Sequence, residues 1–287
     1  EVPHMKKFLS LLLALTLALS LAACGNANNT PAASGSGSGE DAEPITLVVF
    51  AAASMTETLT EIAENYKTVA PNVTLSFNFD SSGKLLDQIQ EGALCDLFIS
   101  AAPKQMNALD GTLKDDAEKN PKGQDMLLEG SCINLLENKV TLAVPEGNPK
   151  GIESFDQLAD LLQNGGVMLA IGNSDVPVGQ YTQKIFAYYG IDENAVTDQL
   201  TYGNNVKEVT TQVSEATVDC GIIYATDAFS AGLTVVDSAT AEMCGQVIYP
   251  AAVLKDGQTE AAQAFLDYLQ TEEAMSVFQS VGFSPAN

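Results

Sequence analysis

Short β-branched runs alternate with amphipathic segments from residue 45 onward, and this alternation constrains the fold more than any other feature of the chain. Residues 45–51 ("ITLVVFA"), 73–79 and 96–102 have the composition of strands. Residues 55–69 and 83–92 have the periodicity of amphipathic helices. The resulting β-α-β-α-β order predicts a mainly parallel sheet with helices on both faces.

The same alternation continues through the rest of the chain. The sequence predicts strands over 139–147, 167–173, 220–229 and 247–254, and helices over 155–165, 179–190, 206–218 and 259–283. Two lobes accommodate these elements better than one continuous sheet, with a crossover near residues 130–140 and a return near 245. The predicted fold class is therefore α/β with two lobes of mixed, mainly parallel sheets flanked by helices. The first lobe is formed by 45–137 plus 247–287 and the second by 138–246.

The first 24 residues have the composition of an export signal. Two lysines precede an apolar run that is short for a membrane span and ends at Cys24. The segment "LAAC" (21–24) resembles the lipobox of bacterial lipoproteins, whose cysteine is lipidated. An ordinary cleaved signal with an incidental Cys24 is the alternative.

Residues 25–44 are small and polar, without an apolar period, and they predict a flexible linker. A lipid anchor followed by such a linker predicts an exported protein held at the outer face of the cytoplasmic membrane. Residues 1–4 precede Met5, and we expect them to lie upstream of the start of the protein.

The charge of the chain excludes several classes of function. The formal net charge is −24, and all thirteen basic residues are lysines. Such an acidic chain disfavours nucleic acid and anionic membrane surfaces as partners. The single histidine, His4, precedes the expected start, which excludes a Ser-His-Asp triad and a histidine metal site from the mature chain. We therefore expect a protein that is not an enzyme and carries no cofactor.

Four cysteines follow Cys24, and none of them form a CxxC pair, so a zinc or redox motif is not indicated. Each of them lies in an apolar setting, which predicts small core residues with free thiols. These cysteines are Cys95, Cys132, Cys220 and Cys244. A disulfide between Cys132 and Cys244 is the alternative in an exported chain.

Several predicted helix starts share one chemistry. Ser54 follows three alanines, a pair of serines (81–82) precedes the next helix, and segments 175–181 and 203–209 begin two more helices. A helix N-terminus offers unsatisfied N–H donors and a partial positive charge, which suits an anion. Serine is also a preferred N-cap for local reasons, and Tyr224 on its predicted strand has the setting of a core aromatic. The spacing alone leaves the anion site open.

Four segments carry a likeness to a known family: "VVFAAASMTETLTEIAENY", "FNFDSSGKLLDQIQEGALCDLFISAAPKQM", "VPVGQY" and "GIIYATDA". Together they resemble the molybdate-binding proteins of bacterial ABC importers, in order from about residue 45 to the end of the chain. The resemblance implies the two-lobed periplasmic-binding-protein fold of type II, with molybdate or tungstate held in the cleft by neutral donors. It also implies delivery of the ion by a monomer to a membrane permease.

The resemblance assigns a set of ligand residues as well. They are Ser54, Ser82, Val178, Val206 and Tyr224. The two serines and the tyrosine would offer hydroxyl groups, and the two valines would offer backbone N–H groups. Ser81 is the neighbour that competes with Ser82, and Val178 stands where alanine is usual, a change that a backbone donor tolerates. Molybdenum would be bound as molybdate, through these same residues.

Donors without acceptors suit molybdate, which is fully deprotonated near neutral pH. Phosphate at that pH carries a proton, which needs an acceptor. Asp80 and Asp175 lie close in sequence to the implied site. We expect both carboxylates to point away from it, because a carboxylate facing a dianion would repel it.

Three alternatives stay open beside molybdate transport. The first is a binder of another ligand, such as sulfate, phosphate or a metal chelate; phosphate is disfavoured in a chain without arginine, whereas sulfate differs from molybdate mainly in size. The second is a secreted enzyme on a similar scaffold, for which the chain offers no histidine base. The third is a structural or adhesive lipoprotein.

Overall fold

Two mixed β-sheets flanked by helices organise residues 43–286, which are the residues that the computed structural model describes. The predicted signal segment, Cys24 and almost all of the predicted linker lie outside the described residues. None of the helices in residues 43–286 is long and apolar enough to cross a membrane.

The strands are β1 Ile45–Ala52, β2 Val73–Asp80, β3 Leu97–Ile99, β4 Ile133–Asn138, β5 Val140–Val144, β6 Leu169–Gly172, β7 Leu200–Gly203, β8 Cys220–Tyr224, β9 Thr234–Ser238, β10 Val247–Val253 and β11 Ser284–Pro285. The helices are α1 Thr56–Val69, α2 Ser82–Gln90, α3 Pro103–Asn107, α4 Phe155–Gln163, α5 Pro177–Tyr189, α6 Val206–Ser214, α7 Ala225–Ser230, α8 Ala241–Cys244, α9 Thr259–Leu269 and α10 Glu272–Ser280. Short 3-10 turns cover Ala53–Met55, Gly111–Leu113 and Glu193–Gln199.

The first sheet has the strand order β11-β4-β10-β3-β1-β2, and the second has the order β7-β6-β8-β5-β9. The chain passes from the first sheet to the second between Asn138 and Val140. It returns after β9, so that β10 and β11 complete the first sheet. The predicted α/β class with two helix-flanked sheets is confirmed.

The predicted mixed sheets are confirmed, and the predicted parallel run is β1, β2 and β3 of the first sheet, but parallel pairs do not form the majority. Among the strand pairs of residues 43–286, β1 with β2, β1 with β3, β6 with β7 and β6 with β8 are parallel. The five other pairs are antiparallel. The β-α-β units produce the parallel pairs, because a crossover helix returns the chain in the same direction. The strands near the two sheet crossings enter in the opposite direction, which local periodicity does not predict.

The helices form where apolar residues recur on one side. In α1 the residues Leu59, Ile62 and Tyr66 are buried, and the Tyr66 ring lies 4.9 Å from the ring of Phe265 in α9. The predicted terminal helices of 259–283 are α9 and α10. They are separated after Leu269, where the side chain of Thr271 accepts a hydrogen bond from the N–H of Ala274 and caps α10.

The cysteines match the expected core thiols in three cases of four. All four are free; Cys95, Cys220 and Cys244 are buried, and Cys132 is exposed. Burial raises the pKa of the Cys95 thiol to about 12, so this thiol stays protonated and unreactive at neutral pH.

The side chain of Asp96, just before β3, connects β1 to the start of α9. One carboxylate oxygen accepts a hydrogen bond from the N–H of Val48 in β1 at 2.6 Å, and the other accepts one from the N–H of Gln258, the N-cap of α9, at 2.7 Å. The residue is buried, so these charge-assisted bonds replace hydration that the carboxylate has lost.

The substitution Asp96→Asn is expected to lower the free energy of unfolding by about 2 kcal/mol, because an amide NH₂ group then faces a backbone donor. Denaturant unfolding measures the difference. Asp87→Asn on the exposed face of α2 is the matched control, with an expected change within about 0.5 kcal/mol. Equal stability of the two variants would contradict this role of Asp96.

Candidate functional site

The parallel strands of both sheets end toward one shared cavity. In the first sheet β1, β2 and β3 run in the same direction, and in the second sheet β6, β7 and β8 do. The segments that follow these strands carry the residues that line the cavity: Ala52, Ala53, Ser54, Asp80, Ser81, Ser82, Ala101, Val176, Pro177, Val206 and Tyr224. Carboxyl ends of parallel strands are where open α/β sheets bind ligands.

The cavity is small. Its volume is about 10 Å³, close to the space that one water molecule needs. Sites for organic ligands are far larger, on the order of 300 Å³ or more. No lysine is among the residues that line it, so any charge bound there meets neutral donors from the described residues.

Ser54 lies in the 3-10 turn between β1 and α1 and is buried. It is not the N-cap of α1; that position belongs to Met55, which makes no side-chain cap bond. The Ser54 hydroxyl instead lies 2.9 Å from the hydroxyl of Tyr249 in β10. The alanines before Ser54 keep the approach to the turn free of larger side chains.

The two serines at the start of α2 have different partners. Ser81 is the N-cap, and its hydroxyl oxygen accepts a hydrogen bond from the N–H of Lys84. Ser82 is the first helical residue, and its oxygen accepts a hydrogen bond from the N–H of Ala101 at 2.9 Å. Both serines line the cavity, but the role of Ser81 is explained by local capping, which leaves Ser82 as the residue that local structure does not explain.

The two predicted valines lie at helix starts in the second sheet's half of the chain. Val206 is the first residue of α6 and lines the cavity. Val178 is the second residue of α5; its side chain is fully buried in the core, and it is not among the lining residues, whereas its neighbours Val176 and Pro177 are. The first N–H groups of a helix have no intrahelical partner, so both valines retain a backbone donor.

Tyr224 ends β8 and lines the cavity, and only 1% of its surface is exposed. Its hydroxyl has no hydrogen-bond partner among the described residues. Burial, together with the nearby hydroxyls of Tyr249 and Tyr181, raises the pKa of Tyr224 well above its usual value, so the group keeps its proton. A buried phenol without a partner is costly, and a bound acceptor would remove that cost.

Two glycines allow the helices to approach the cavity closely. A Cβ atom at Gly83, near the start of α2, would overlap the backbone carbonyl oxygen of Asp175 in the other sheet's half of the chain. A Cβ atom at Gly179 in α5 would overlap the carbonyl oxygens of Gly172 and Asn173, at the end of β6. Only glycine fits at these two contacts.

The two aspartates near the site differ in position. Asp175 is exposed and is not among the lining residues. Asp80 contributes to the lining, and one oxygen of its carboxylate accepts a hydrogen bond from the N–H of Ser81 at 2.7 Å. The same oxygen lies 3.5 Å from the ammonium of Lys84 and 3.5 Å from the side-chain amide of Asn205. These three donors compensate the negative charge of the Asp80 carboxylate.

The buried carboxylate of Asp227 lies near Tyr224 and Tyr249. Asp227 in α7 is 1% exposed, and one of its carboxylate oxygens lies 3.2 Å from the ammonium of Lys207. Neither carboxylate oxygen makes a hydrogen bond to another residue within 43–286. Lys207 also donates to both carboxylate oxygens of Glu57 in α1, at 2.7 and 2.9 Å. Burial raises the pKa of Asp227 to about 6, despite the opposing effect of Lys207. The ion pair with Glu57 joins the helices of the two sheets.

Sequence reasoning missed Tyr249, Asn138 and the Lys207–Asp227 pair. Tyr249 lies in a predicted core strand, where a tyrosine is ordinary. Asn138 carried a usable sequence signal, because an asparagine at the end of an apolar strand needs buried hydrogen-bond partners. In the structure its side chain is 3% exposed. The pairing of Lys207 with Asp227 depends on the packing of α6 against α7.

A cavity of this size, lined by hydroxyl groups and helix starts from two sheets, has the chemistry of a binding site for a small solute. Comparison with known proteins gives the family. The profile of the family described as bacterial extracellular solute-binding protein matches residues 47–284, and the chain belongs to this family.

Individual relatives agree with this assignment. YvgL of Bacillus subtilis, described as a candidate ABC transporter substrate-binding lipoprotein, is 32% identical over 248 residues, which are 85% of this chain and 88% of that protein. The molybdate-binding protein ModA of Haemophilus influenzae is 33% identical over 243 residues, 83% of this chain and 89% of that protein. The structure of the Azotobacter vinelandii periplasmic molybdate-binding protein superposes with a TM-score of 0.67 at 19% identity, covering 84% of this chain and all of that one. The chain is thus a ModA-like substrate-binding protein of the ABC transporter class.

The pKa of Asp227 leads to a prediction for stability against pH. The folded-state pKa of about 6 lies above the ordinary value of 3.8, so the folded state binds more protons between these values, and wild-type stability falls as the pH rises through that window. Asp227→Asn lacks this titration. The free energy of unfolding of the variant, relative to wild type, is therefore expected to rise by up to about 3 kcal/mol between pH 4 and pH 7.

Denaturant unfolding at several pH values measures this difference. Asp256→Asn controls for the loss of one negative charge at an exposed position. A gap between Asp227→Asn and wild type that stays constant from pH 4 to pH 7 would contradict the raised pKa.

Proposed function

We propose that the chain captures molybdate or tungstate in the cavity between the two sheets and delivers it to the membrane permease of an ABC importer. The observation that carries the proposal is the buried hydroxyl of Tyr224, which lines the cavity without a partner. The group needs an acceptor, and a tetrahedral oxyanion presents only acceptors. The similarity to ModA proteins supports the same ligand class.

The donors proposed to hold the ion are the hydroxyl groups of Ser54, Ser82 and Tyr224 and the backbone N–H groups of Val178 and Val206. Hydrogen bonds to a charged acceptor contribute about 1.5–3 kcal/mol each, so several of them in a closed cavity can replace the missing cationic side chain. The N-termini of α5 and α6 add the partial positive charge of their helix dipoles.

Sulfate is the second candidate, because it offers the same acceptors in a smaller ion. Hydrogen phosphate is disfavoured, since its proton needs an acceptor inside the cavity. Asp80 is the acidic residue among the lining residues, and its Oδ1 already accepts the N–H of Ser81, so only its other carboxylate oxygen could accept that proton. The phenols of Tyr224 and Tyr249 keep their protons, because burial raises the pKa of both.

We also propose that the two sheets are the cores of two lobes, 45–137 plus 247–287 and 138–246, which close over the ion by hinge motion. The sheet crossings at Asn138 and before Val247 support these boundaries to within a residue. Contacts between the two halves, such as Lys207 with Glu57 and Gly83 with Asp175, support a closed arrangement in this structure.

The export route is proposed from the sequence. The membership of the chain in an extracellular solute-binding family and its similarity to a protein described as a lipoprotein support export and lipidation at Cys24. The chain would then act as a monomer on the outer face of the cytoplasmic membrane, joined to its anchor by residues 25–44.

Calorimetric titration of residues 25–287 with molybdate, tungstate, sulfate and phosphate tests the ligand. We expect tight binding of molybdate and tungstate and weak or absent binding of the other two. Ser54→Ala is expected to weaken molybdate binding by about 10- to 150-fold, the loss of one hydrogen bond to a charged acceptor. Ser276→Ala, which removes an exposed hydroxyl from α10, is the control and should bind as wild type does.

The outcomes separate the candidates. Sulfate binding as tight as molybdate binding would keep the transport class and change the substrate. If none of the four anions binds, the proposed ligand class is wrong. An unchanged affinity in Ser54→Ala would remove Ser54 from the site.

Gly83→Ala tests the closed arrangement. The added methyl group overlaps the carbonyl of Asp175 only when the two halves approach as they do here, so molybdate affinity is expected to fall at least about tenfold. Gly166→Ala is the control, because its new Cβ meets only the side chain of Leu161, at 3.3 Å, and the backbone of the same residue. Wild-type affinity in Gly83→Ala would show that the bound state does not need this contact.

A further inference from the structure

The hydroxyl of Ser54 has a partner that lies behind the cavity rather than in it. Its oxygen is 2.9 Å from the hydroxyl oxygen of Tyr249, which is fully buried and not among the lining residues. The distance alone allows either group to donate. The direction matters, because a serine hydroxyl that gives its proton to Tyr249 would face the cavity as an acceptor.

Asn138 defines one of the two roles of the Tyr249 hydroxyl. Its side-chain oxygen accepts a hydrogen bond from the N–H of Lys139 at 2.8 Å, so its nitrogen faces the other way. That nitrogen donates to the hydroxyl of Thr226 at 2.9 Å and to the hydroxyl of Tyr249 at 3.2 Å. An amide NH₂ group cannot accept, so the oxygen of Tyr249 must be the acceptor in this bond.

The single proton of the phenol then needs an acceptor, and among the described residues the Ser54 oxygen is the acceptor within hydrogen-bond distance. Burial raises the pKa of Tyr249 well above its usual value, so that proton is present at neutral pH. In the arrangement that satisfies this buried proton, Tyr249 donates to the oxygen of Ser54, and the proton of Ser54 is free to point into the cavity. Ser82 has the same polarity, because its oxygen accepts the N–H of Ala101 at 2.9 Å. Both serines therefore face the cavity as donors.

We propose that Tyr249, oriented by Asn138, is a specificity-determining positioning residue that makes Ser54 a donor into the cavity and so selects oxyanions without a proton. This inference rests on the proposed function, since it concerns the same cavity. It adds a role for two residues that do not reach the ligand. A serine free to rotate would also accept, and the site would then admit a protonated anion such as hydrogen phosphate.

Tyr249→Phe removes one oxygen and keeps the ring that packs against Tyr224 and Phe283, with centroids at 5.8 and 5.2 Å. In residues 25–287 we expect molybdate affinity to fall about tenfold while hydrogen phosphate affinity stays the same or rises. The ratio of the two affinities is the readout, because general damage to the fold would lower both. Tyr268→Phe, another buried tyrosine in α9, is the control with an unchanged ratio.

A double-mutant cycle shows whether Tyr249 acts through Ser54. Ser54→Ala combined with Tyr249→Phe is expected to bind molybdate no more weakly than Ser54→Ala alone, because without the Ser54 hydroxyl Tyr249 has no group to orient. Losses that multiply, or an unchanged ratio in Tyr249→Phe, would overturn the proposal. Failure of the wild type to bind any oxyanion would instead reject the proposed function.

Asn138→Asp provides a second variant in case Tyr249→Phe does not fold. The carboxylate of the variant accepts a hydrogen bond from Tyr249, so the phenol proton no longer points to Ser54. Ser54 then donates to Tyr249, and its oxygen faces the cavity as an acceptor. We expect a loss of molybdate affinity together with a gain for hydrogen phosphate at pH 7. A variant that folds and keeps the wild-type ratio of affinities would contradict the orienting role of Asn138.

Discussion

Unsatisfied hydrogen-bond donors at the ends of parallel strands are the constraint on which the arrangement of this protein depends. The first N–H groups of α5 and α6 have no intrahelical partners, and the hydroxyl of Tyr224 has none at all among the described residues. Water or an ion must satisfy them, because buried donors without acceptors destabilise the fold. The cavity therefore has the chemistry of an acceptor-binding site before any ligand is considered.

The backbone brings these donors together, and small residues let it do so. Crossover helices place the ends of β1, β2 and β3 at one edge, and the second sheet supplies a matching edge. Alanines before Ser54 and glycines at positions 83 and 179 remove the side chains that would keep the elements apart. The result is a cavity of only about 10 Å³ between the two sheets.

The carboxylates at and near the cavity are compensated by neighbouring donors. A chain with a net charge of −24 cannot rely on its overall field to attract an anion, so local arrangement must do so. Asp80 is held by the N–H of Ser81 and by Lys84, and Asp227 is paired with Lys207. Neutral donors then face the cavity, and the carboxylates that would repel an anion are compensated by other groups.

The sequence by itself determined the local elements and their chemistry, whereas the tertiary structure decided how they meet. Apolar periodicity predicted the β-α-β units, and the resemblance placed Ser54, Ser82, Val206 and Tyr224, which line one cavity. The antiparallel half of each sheet, the exposure of Cys132 and the absence of Val178 from the lining were not predictable, because each depends on contacts between distant segments. The direction of the Asn138–Tyr249–Ser54 hydrogen bonds was not predictable for the same reason. A pattern along the chain specifies which groups need partners, and only packing in three dimensions chooses the partners.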